Sequence, residues 1–320
     1  MKKYKQFVKY FLIWILLLPL LGILNYIIDP FQQYRTKSFY PILFFDERYQ
    51  NAGFLKNFNF DSIILGTSMT ENFFINEVED KLDYKKLIKL SVTGGSAYEQ
   101  RVILETAINT AKVDNVLWGL DTFIFIDKYN KKNNFMPLYL YDNNKFNDYK
   151  YLFSLDTTKY SGKAIARIFN KTKDLISYDY NKMYQWQHKY EDKFTLNEIS
   201  KMWKNRDVNF IKKDIRNQTF LNLKNNFDLS FLNIIRNNPQ INFKIFFPPY
   251  SILTYKVLEE RLVLEETLKF KRYLYNTLIK LNNVELYDFQ IAKEITHNLS
   301  NYKDLSHYHQ KINSWMIQKM

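Results

Sequence analysis

Short apolar segments alternate with helical patterns along most of this chain, and this alternation limits its fold more than any other feature. One helix is clear at residues 97–111, where apolar residues recur at the spacing of a single buried face. Strands that are separated by helices form parallel sheets covered on both sides. We therefore predict a three-layer α/β/α domain over residues 61–320. Its five predicted strands are residues 62–65, 87–92, 115–120, 241–247 and 284–287.

The alternation breaks at about residue 127 and returns at about residue 219. The segment between is rich in Asn, Lys, Asp and Tyr and has weak periodicity. We interpret residues 127–219 as a helical insertion, or cap, over the sheet. Its aromatic residues Tyr184, Trp186 and Tyr190 fit two roles, which are stacking on sugar rings and packing within the cap; packing is the commoner role for such side chains.

Residues 11–28 are almost entirely apolar, which is close to the ~20 residues needed to cross the hydrocarbon core of a bilayer. Four lysines precede this run, so the positive-inside rule predicts a cytoplasmic N-terminus and an extracytoplasmic main domain. A cleaved signal peptide is the alternative, but no small-residue cleavage site follows the run, which favours a retained anchor. We predict a single-pass cell-membrane protein with an anchor at residues 1–30 and a connecting segment at residues 31–60.

The formal net charge of the 320-residue chain is +13, which suits an anionic neighbourhood such as a membrane surface or an acidic polymer. No lysine or arginine cluster of the kind found in nucleic-acid-binding motifs stands out, so we expect no nucleic-acid partner. The absence of cysteine is compatible with an extracytoplasmic domain. We expect no cofactor and no metal, because the pair His307 and His309 has only isolated histidines beside it.

Chemically useful residues follow the predicted strands at the points where those strands end. A serine follows the first strand, two glycines follow the second, an aspartate follows the third, and an Asp-x-x-His segment follows the fifth. Sites in parallel sheets form outside the carboxyl ends of the strands, so we expect these side chains to meet at one edge. The residues are Ser68, Gly94, Gly95, Asp121, Asp304 and His307.

A serine, a histidine and an aspartate at one edge form a candidate triad for acyl transfer. Serine needs a base to take its proton, and the base needs a carboxylate to orient it. His307 and Asp304 supply both from one short loop. The tetrahedral oxyanion needs preorganised N–H donors, and the backbone N–H groups of Ser68 and of Gly94 or Gly95 are candidates.

Each of these residues also has a simpler interpretation. Ser68 matches a helix N-cap, with Glu71 in the position that completes a capping box. Gly94 and Gly95 fit an ordinary turn between a strand and a helix. The Asp-x-x-His segment fits a surface loop, and His309 is a rival base. We favour the active-site interpretation because the convergence of the set at one edge is more specific than any single motif.

The motifs together resemble those of the SGNH (GDSL-like) hydrolase superfamily. The similarity is closest to membrane-anchored relatives of the alginate O-acetyltransferase and D-alanyl-lipoteichoic acid biosynthesis type. It covers residues 62–308, apart from the insertion, and implies a flavodoxin-like sheet. The motifs, in the order of that family, are Gly66-Thr67-Ser68, Gly94-Gly95, Gly119-Leu120-Asp121 and Asp304-Leu305-Ser306-His307.

The resemblance implies roles for individual residues. Ser68 would be the nucleophile, His307 the base and Asp304 the orienting acid, with Gly94 or Gly95 as an oxyanion donor.

Two positions depart from the pattern of the family. Thr67 stands where the first motif usually has an acid, and Asp121 stands where the family has an oxyanion asparagine. An ionised aspartate donates no hydrogen bond and would oppose an oxyanion. Three alternatives follow: Asp121 is protonated, Asp121 has another role, or the oxyanion hole consists of backbone N–H groups.

We expect a membrane-anchored, extracytoplasmic serine O-acyltransferase or O-acetyl esterase that acts on a cell-surface polysaccharide. Its expected partners are the lipid bilayer and a cell-surface glycan or anionic polymer. Transfer rather than hydrolysis, and a multispanning acyl-carrier membrane protein as partner, follow only from the resemblance. The alternative is a catalytically silent glycan-binding or scaffold module of a cell-envelope biosynthesis complex, which Asp121 and the aromatic insertion favour.

Overall fold

A computed structural model describes residues 2–36, 39–40, 42–44, 46–127, 129, 135–142, 144–170, 179–206 and 218–320. The chain divides into two compact units. The first unit is Met1–Phe58 with Phe135–Asp179, and the second is Asn59–Asn134 with Tyr180–Met320. The predicted insertion at 127–219 thus contributes to both units, and its residues 128, 130–134, 143, 171–178 and 207–217 lie outside the described residues. The predicted boundaries near residues 30 and 60 stay predictions.

The second unit contains a five-stranded, all-parallel sheet, as the alternation of strand and helix patterns predicts. The strands are β1 (Ser62–Leu65), β2 (Leu87–Lys89), β3 (Asn115–Gly119), β4 (Asn242–Phe247) and β5 (Val284–Asp288). Their order across the sheet is β2-β1-β3-β4-β5. Ile63 pairs with Ile88 on one side and with Val116 on the other. The strand order reverses at β1 and β3, and ligands of such sheets bind at this switch point.

Helices flank the sheet, which confirms the predicted α/β fold class. In chain order, the helices of the two units are α1 (Lys2–Ile28), α2 (Glu47–Asn57), α3 (Ser68–Glu71), α4 (Ile75–Leu82), α5 (Ala97–Thr110), α6 (Tyr149–Leu152), α7 (Leu155–Asn170), α8 (Leu196–Lys204), α9 (Phe220–Phe227), α10 (Asn233–Asn237), α11 (Ile252–Glu260), α12 (Leu264–Leu278), α13 (Lys293–Thr296) and α14 (Gln310–Ile317). A capping box starts α5, where Ser96 and Glu99 each accept the backbone N–H of the other.

Aromatic side chains pack against the central strands of the sheet. The indole N–H of Trp118 on β3 donates to Gln100 of α5 at 2.9 Å, and the ring lies 4.4 Å from that of Phe231. Phe246 on β4 lies 5.7 Å from Phe73. All four aromatic rings are fully buried or nearly so, and each contributes roughly 1.5–3 kcal/mol through burial of its apolar surface.

Two helical patterns of the sequence each form two helices. The pattern over residues 70–82 forms α3 and α4, because the carbonyl oxygens of Glu71 and Phe73 accept hydrogen bonds from the buried Lys89 at 2.7 Å each. The pattern over residues 256–281 forms α11 and α12. Leu262, between these two helices, has a φ of +59°, and this left-handed conformation ends a right-handed helix.

In the first unit, α1 is the one helix of the described residues that is long and apolar enough to cross a membrane, by length and composition. Its most apolar window of 18 residues has a mean hydropathy of 2.5. Near its C-terminal end, the amide of Asn25 donates to the carbonyl oxygen of Leu152 at 2.7 Å and to Thr158 Oγ1 at 3.0 Å, and it accepts from Ser161 Oγ at 2.8 Å. Because an unpaired buried amide costs about 1–3 kcal/mol, these bonds fix the end of α1 against α7.

Candidate active site

Ser68 is the first residue of α3 and follows the turn that ends β1. The interpretation of Ser68 as a helix N-cap is wrong, because Thr67 is the N-cap and its Oγ1 accepts the N–H of Met69 at 3.3 Å. Gly66 has a φ of +155°, and a Cβ there would lie 2.6 Å from the side chain of Thr70, so this position requires glycine. The hydroxyl group of Ser68 is therefore not used for capping.

The structure brings Ser68, His307 and Asp304 together in hydrogen-bonding order. Ser68 Oγ lies 2.7 Å from His307 Nε2, and His307 Nδ1 lies 2.9 and 2.8 Å from the two carboxylate oxygens of Asp304. When Nδ1–H donates to the carboxylate, Nε2 keeps a lone pair that accepts the proton of serine. This geometry matches nucleophile, base and orienting acid, and the catalytic roles of the three residues stay predictions.

Hydrogen bonds within the loop hold Asp304 in place. Its Oδ1 accepts the backbone N–H groups of Ser306 at 3.0 Å and His307 at 2.8 Å, and Lys303 Nζ lies 2.8 Å from its Oδ2. Burial alone would raise the pKa of Asp304, but the hydrogen bond and charge of His307, together with Lys303, hold this pKa well below its usual range. Asp304 is therefore ionised at neutral pH.

Side chains from distant segments satisfy the backbone carbonyl groups of α3. A helix of four residues can pair few of its own carbonyl groups; the backbone N–H of Asn72 donates to that of Thr70, and the others need further donors. The donors are Trp186 Nε1 to Ser68 at 2.9 Å, Tyr308 Oη to Met69 at 3.0 Å and Lys89 Nζ to Glu71 at 2.7 Å. The position of the candidate nucleophile therefore depends on three side chains that are far from it in sequence.

Lys89 is fully buried on β2 and connects α3 with the segment that precedes Trp186. Besides its two bonds to the chain after Ser68, its Nζ donates to the carbonyl oxygen of Met183 at 2.8 Å. Burial lowers the pKa of Lys89 to about 7, while the three carbonyl acceptors match the three N–H donors of an ammonium group. Lys89 thus holds two loops of the second unit together.

Trp186 lies between the segment of the nucleophile and the loop of the base. Its ring meets that of His307 edge-on at 5.4 Å, and Lys303 Nζ lies 4.8 Å from the ring centres of both Trp186 and Tyr190. These contacts favour packing over sugar stacking for Trp186, because its N–H and its ring are both engaged. Tyr190 is exposed at 41%, and its stacking on a sugar stays a prediction.

The two glycines after β2 differ in the use of their N–H groups. Gly94 has a φ of +59°, a left-handed conformation that favours glycine. The N–H of Gly95 donates to the carbonyl oxygen of Val92 at 2.9 Å, whereas the N–H of Gly94 has no partner within the described part of the chain. Gly94 is therefore better suited than Gly95 to donate to an oxyanion, and that role stays a prediction.

Asp121 lies at the same edge of the sheet and accepts three hydrogen bonds. Tyr250 Oη donates to Oδ1 at 2.5 Å, the N–H of Phe123 donates to Oδ1 at 3.0 Å, and Thr67 Oγ1 donates to Oδ2 at 3.4 Å. Burial raises the pKa of Asp121, while these bonds and the nearby His307 oppose the increase. Asp121 thus connects the ends of β3 and β4 with the residue that precedes Ser68.

One cleft of about 200 Å³ joins these groups outside the carboxyl ends of β1 and β3. It is smaller than the roughly 300–1,000 Å³ of sites for drug-sized ligands, so a short acyl group fits it better than a long chain. The predicted site residues in its wall are Ser68, Gly94, Gly95, Asp121 and His307.

His309, the rival base, has other partners. Its Nε2 lies 3.1 Å from Nε2 of Gln187, and its Nδ1 accepts the N–H of Lys311 at 3.1 Å. Burial lowers the pKa of His309, with Glu191 opposing this effect. Among the residues that the structure describes, no group of three or more His, Asp or Glu side chains could hold a metal ion.

The residues that support the site were not predicted from the sequence. These are Lys89, Tyr250, Lys303 and Tyr308, of which only two carried a usable signal in the sequence. Lys89 interrupts an otherwise apolar strand, and a lysine there requires polar partners on burial. Lys303 directly precedes the predicted acid of the triad.

Comparisons with protein-family models and with curated protein sequences give no match. A solved structure described as "a putative platelet activating factor from Streptococcus pneumonia" is similar over 85% of this chain and 88% of that chain, with 10% sequence identity and a TM-score of 0.43. At this TM-score the similarity adds nothing to the assignment of the site, which depends on the geometry of the residues.

Proposed function

We propose that this protein is a serine esterase or O-acyltransferase that is anchored in a membrane by α1. The observation that carries the proposal is the hydrogen-bonded series of Ser68, His307 and Asp304, with Ser68 Oγ 2.7 Å from His307 Nε2. The cleft at the switch point of the sheet and the motifs similar to those of SGNH hydrolases support it.

The first half of the proposed reaction forms an acyl-enzyme. Ser68 Oγ attacks the carbonyl carbon of an ester while His307 Nε2 takes the hydroxyl proton. The electron pair of the C=O bond moves to oxygen, and the N–H groups of Ser68 and Gly94 stabilise the oxyanion. When the carbonyl group re-forms, the ester C–O bond breaks, and the leaving oxygen takes the proton from His307. Ionised Asp304 stabilises the transient imidazolium.

The second half regenerates the enzyme. His307 Nε2 takes a proton from water or from a sugar hydroxyl group, whose oxygen attacks the acyl carbon. Collapse of the second tetrahedral intermediate breaks the bond to Ser68 Oγ, which recovers the proton from His307. Water gives hydrolysis and a sugar hydroxyl gives acyl transfer, so the acceptor alone separates esterase from transferase.

A short acyl group, such as acetyl, on a cell-surface polysaccharide is the proposed substrate class. The cleft of about 200 Å³, the net charge of +13 and the apolar helix support this combination. The four lysines before the apolar run support a cytoplasmic N-terminus. A reporter fused to the C-terminus tests this topology: activity only outside the cytoplasm is expected, and activity only inside overturns it.

Labelling with a fluorophosphonate probe, combined with hydrolysis of p-nitrophenyl acetate, tests the chemistry. We expect the full-length protein to be labelled and active, and Ser68→Ala to lose both properties. Ser306→Ala is a matched control, since this serine lies in the same loop as His307 and its hydroxyl group makes a long contact, 3.5 Å, with Asp304 Oδ1. If Ser68→Ala is labelled and hydrolyses the ester as well as the parent does, the proposed role of Ser68 is contradicted.

A glycan-binding or scaffold module without catalysis is a second candidate function. The observation that favours it is the carboxyl group of Asp121 at the position where the resembling family has an oxyanion donor. Glycan binding that depends on Tyr190, with no turnover by the parent protein, supports this candidate. Turnover that is lost in Ser68→Ala rules it out.

A further inference from the structure

We propose that the turn between α6 and α7 inserts into the face of the membrane from which α1 emerges, and so forms a second lipid contact. This inference rests on the proposed anchoring by α1. Two apolar side chains of the turn, Phe153 and Leu155, are exposed at 45% and 86%. On this proposal, these two side chains contact the lipid of the bilayer that α1 crosses.

The level of the turn along α1 follows from a direct contact. The ring of Phe153 packs on Gly22, where a Cβ would lie 3.1 Å from two of its carbon atoms. Gly22 precedes the last residue of α1, Ile28, by six positions, which is about 9 Å along the axis of the helix. The turn therefore lies beside a part of α1 that belongs to the apolar run.

Aromatic and basic side chains mark the level of the membrane surface on α1. The guanidinium group of Arg35 lies 4.6 Å from the ring centre of Tyr26 and donates to the backbone oxygen of Tyr26 at 2.6 Å, while Tyr34 lies 5.0 Å from the same ring. Tyrosine and arginine are typical of the interface between lipid and water. Tyr26 is one turn after Gly22, so Phe153 lies about 6 Å deeper, within the 5–10 Å to which interfacial helices bury their apolar faces.

The chemistry of the turn suits this depth. Polar backbone groups must be satisfied within the protein when they enter lipid, and Ser154 Oγ accepts the N–H groups of Asp156 at 3.1 Å and Thr157 at 3.3 Å. Exposed lysines flank the turn at Lys150 and Lys159, where they can contact anionic headgroups.

The direction of α7 supplies a control position on the same helix. Thr158 and Ser161 bond to Asn25, and Ala164 belongs to the buried cluster that contains Ile28. Successive residues of α7 thus contact later residues of α1. From the turn, α7 therefore runs toward the C-terminal end of α1 and, on this proposal, away from the interior of the bilayer. Phe169, near its far end, is exposed at 79% and is matched to the turn in apolar character.

Single-cysteine labelling tests the proposal on the full chain, which has no cysteine of its own. Leu155→Cys, Phe169→Cys and Leu20→Cys are each labelled with the fluorophore NBD and reconstituted in phosphatidylcholine–phosphatidylglycerol vesicles. Lipids with a spin label on the acyl chain act as quenchers. We expect blue-shifted, strongly quenched emission at positions 20 and 155, and emission at position 169 that is neither shifted nor quenched.

The three labels separate failure of this inference from failure of the anchor. Quenching at position 20 without quenching at 155 overturns the insertion of the turn and leaves the anchor in place. Equal quenching at 155 and 169 also overturns it, because the contact is then not confined to the turn. Absence of quenching at position 20 contradicts anchoring by α1, and with it the insertion of the turn.

Discussion

The indole N–H of Trp186 donates to the backbone carbonyl oxygen of Ser68 at 2.9 Å, although 118 positions separate the two residues. The same ring meets the imidazole of His307 edge-on at 5.4 Å. One side chain outside the triad therefore contacts both the segment of the nucleophile and the base. If the proposed function is correct, Trp186 helps to set the distance between Ser68 and His307.

Trp186→Phe removes this hydrogen bond while it keeps an aromatic ring at the position. We expect kcat to fall about fivefold with little change in KM, because a buried neutral hydrogen bond contributes about 1 kcal/mol and here positions a reacting group. Steady-state hydrolysis of p-nitrophenyl acetate measures both constants. Trp203→Phe is the control. The ring of Trp203 on α8 stacks with the guanidinium group of Arg206, so this variant should leave kcat unchanged. Equal kinetics for Trp186→Phe and the parent would contradict the positioning role.

Lys89→Met leaves three carbonyl acceptors without their donor. We expect the free energy of unfolding to fall by about 2–4 kcal/mol, because buried acceptors that lose a charged partner are costly. Urea denaturation followed by circular dichroism measures this change. Lys244→Met is the matched control on β4; its partner Glu285 is half exposed, and such surface pairs contribute at most about 1 kcal/mol. An equal decrease in the free energy of unfolding for the two variants would mean that the three carbonyl contacts of Lys89 stabilise the fold no more than a surface ion pair.

Asp304→Asn is expected to lower kcat by about 10²–10⁴-fold, because an amide does not stabilise the imidazolium and favours the wrong tautomer of His307. It also has a consequence for stability. The pKa of Asp304 is lower in the folded state than in the unfolded state, so its contribution to stability is present above about pH 4 and is lost as pH falls through the folded pKa. The stability difference between parent and variant should shrink on acidification from pH 5.

Denaturation curves recorded at several pH values measure this shrinkage. Asp80→Asn serves as the control, since the side chain of Asp80 is 69% exposed and its carboxylate pairs with the neighbouring Lys81. A difference between Asp304→Asn and the parent that stays constant down to pH 2 would show that Asp304 makes no pH-dependent contribution.

Asp121→Asn tests whether the negative charge of this residue opposes catalysis. Burial raises the pKa of Asp121, so its charge develops at a higher pH than for an exposed aspartate, next to the proposed position of the oxyanion. We expect Asp121→Asn to keep activity, because the amide still accepts from Tyr250, and to exceed the parent increasingly as pH rises. Asp121→Ala should be less active at every pH, since Tyr250 and Phe123 lose their acceptor.

The pH dependence of kcat/KM for the three proteins measures this effect. Asp127→Asn, which removes another acid from the wall of the same cleft, controls for a general change of charge. A parent profile that runs parallel to that of Asp121→Asn at all pH values would contradict the prediction.

The strands and the edge at which the candidate site lies were predictable because their signals are local. Apolar runs of four to seven residues and the helices between them require a covered parallel sheet. The chain direction then places Ser68, Asp121 and His307 at the same edge without knowledge of any contact. The break after α3 was not predictable, since it depends on Lys89, whose partners lie on other segments.

Periodicity and order along the chain were enough to predict the fold class, the apolar helix and the set of residues at the edge of the sheet. Contacts between distant segments were needed to show that Thr67 rather than Ser68 caps α3, and that Trp186, Tyr308 and Lys89 donate to its carbonyl groups. A helix of four residues can pair few of its own carbonyl groups, and packing determines which distant donors reach the others.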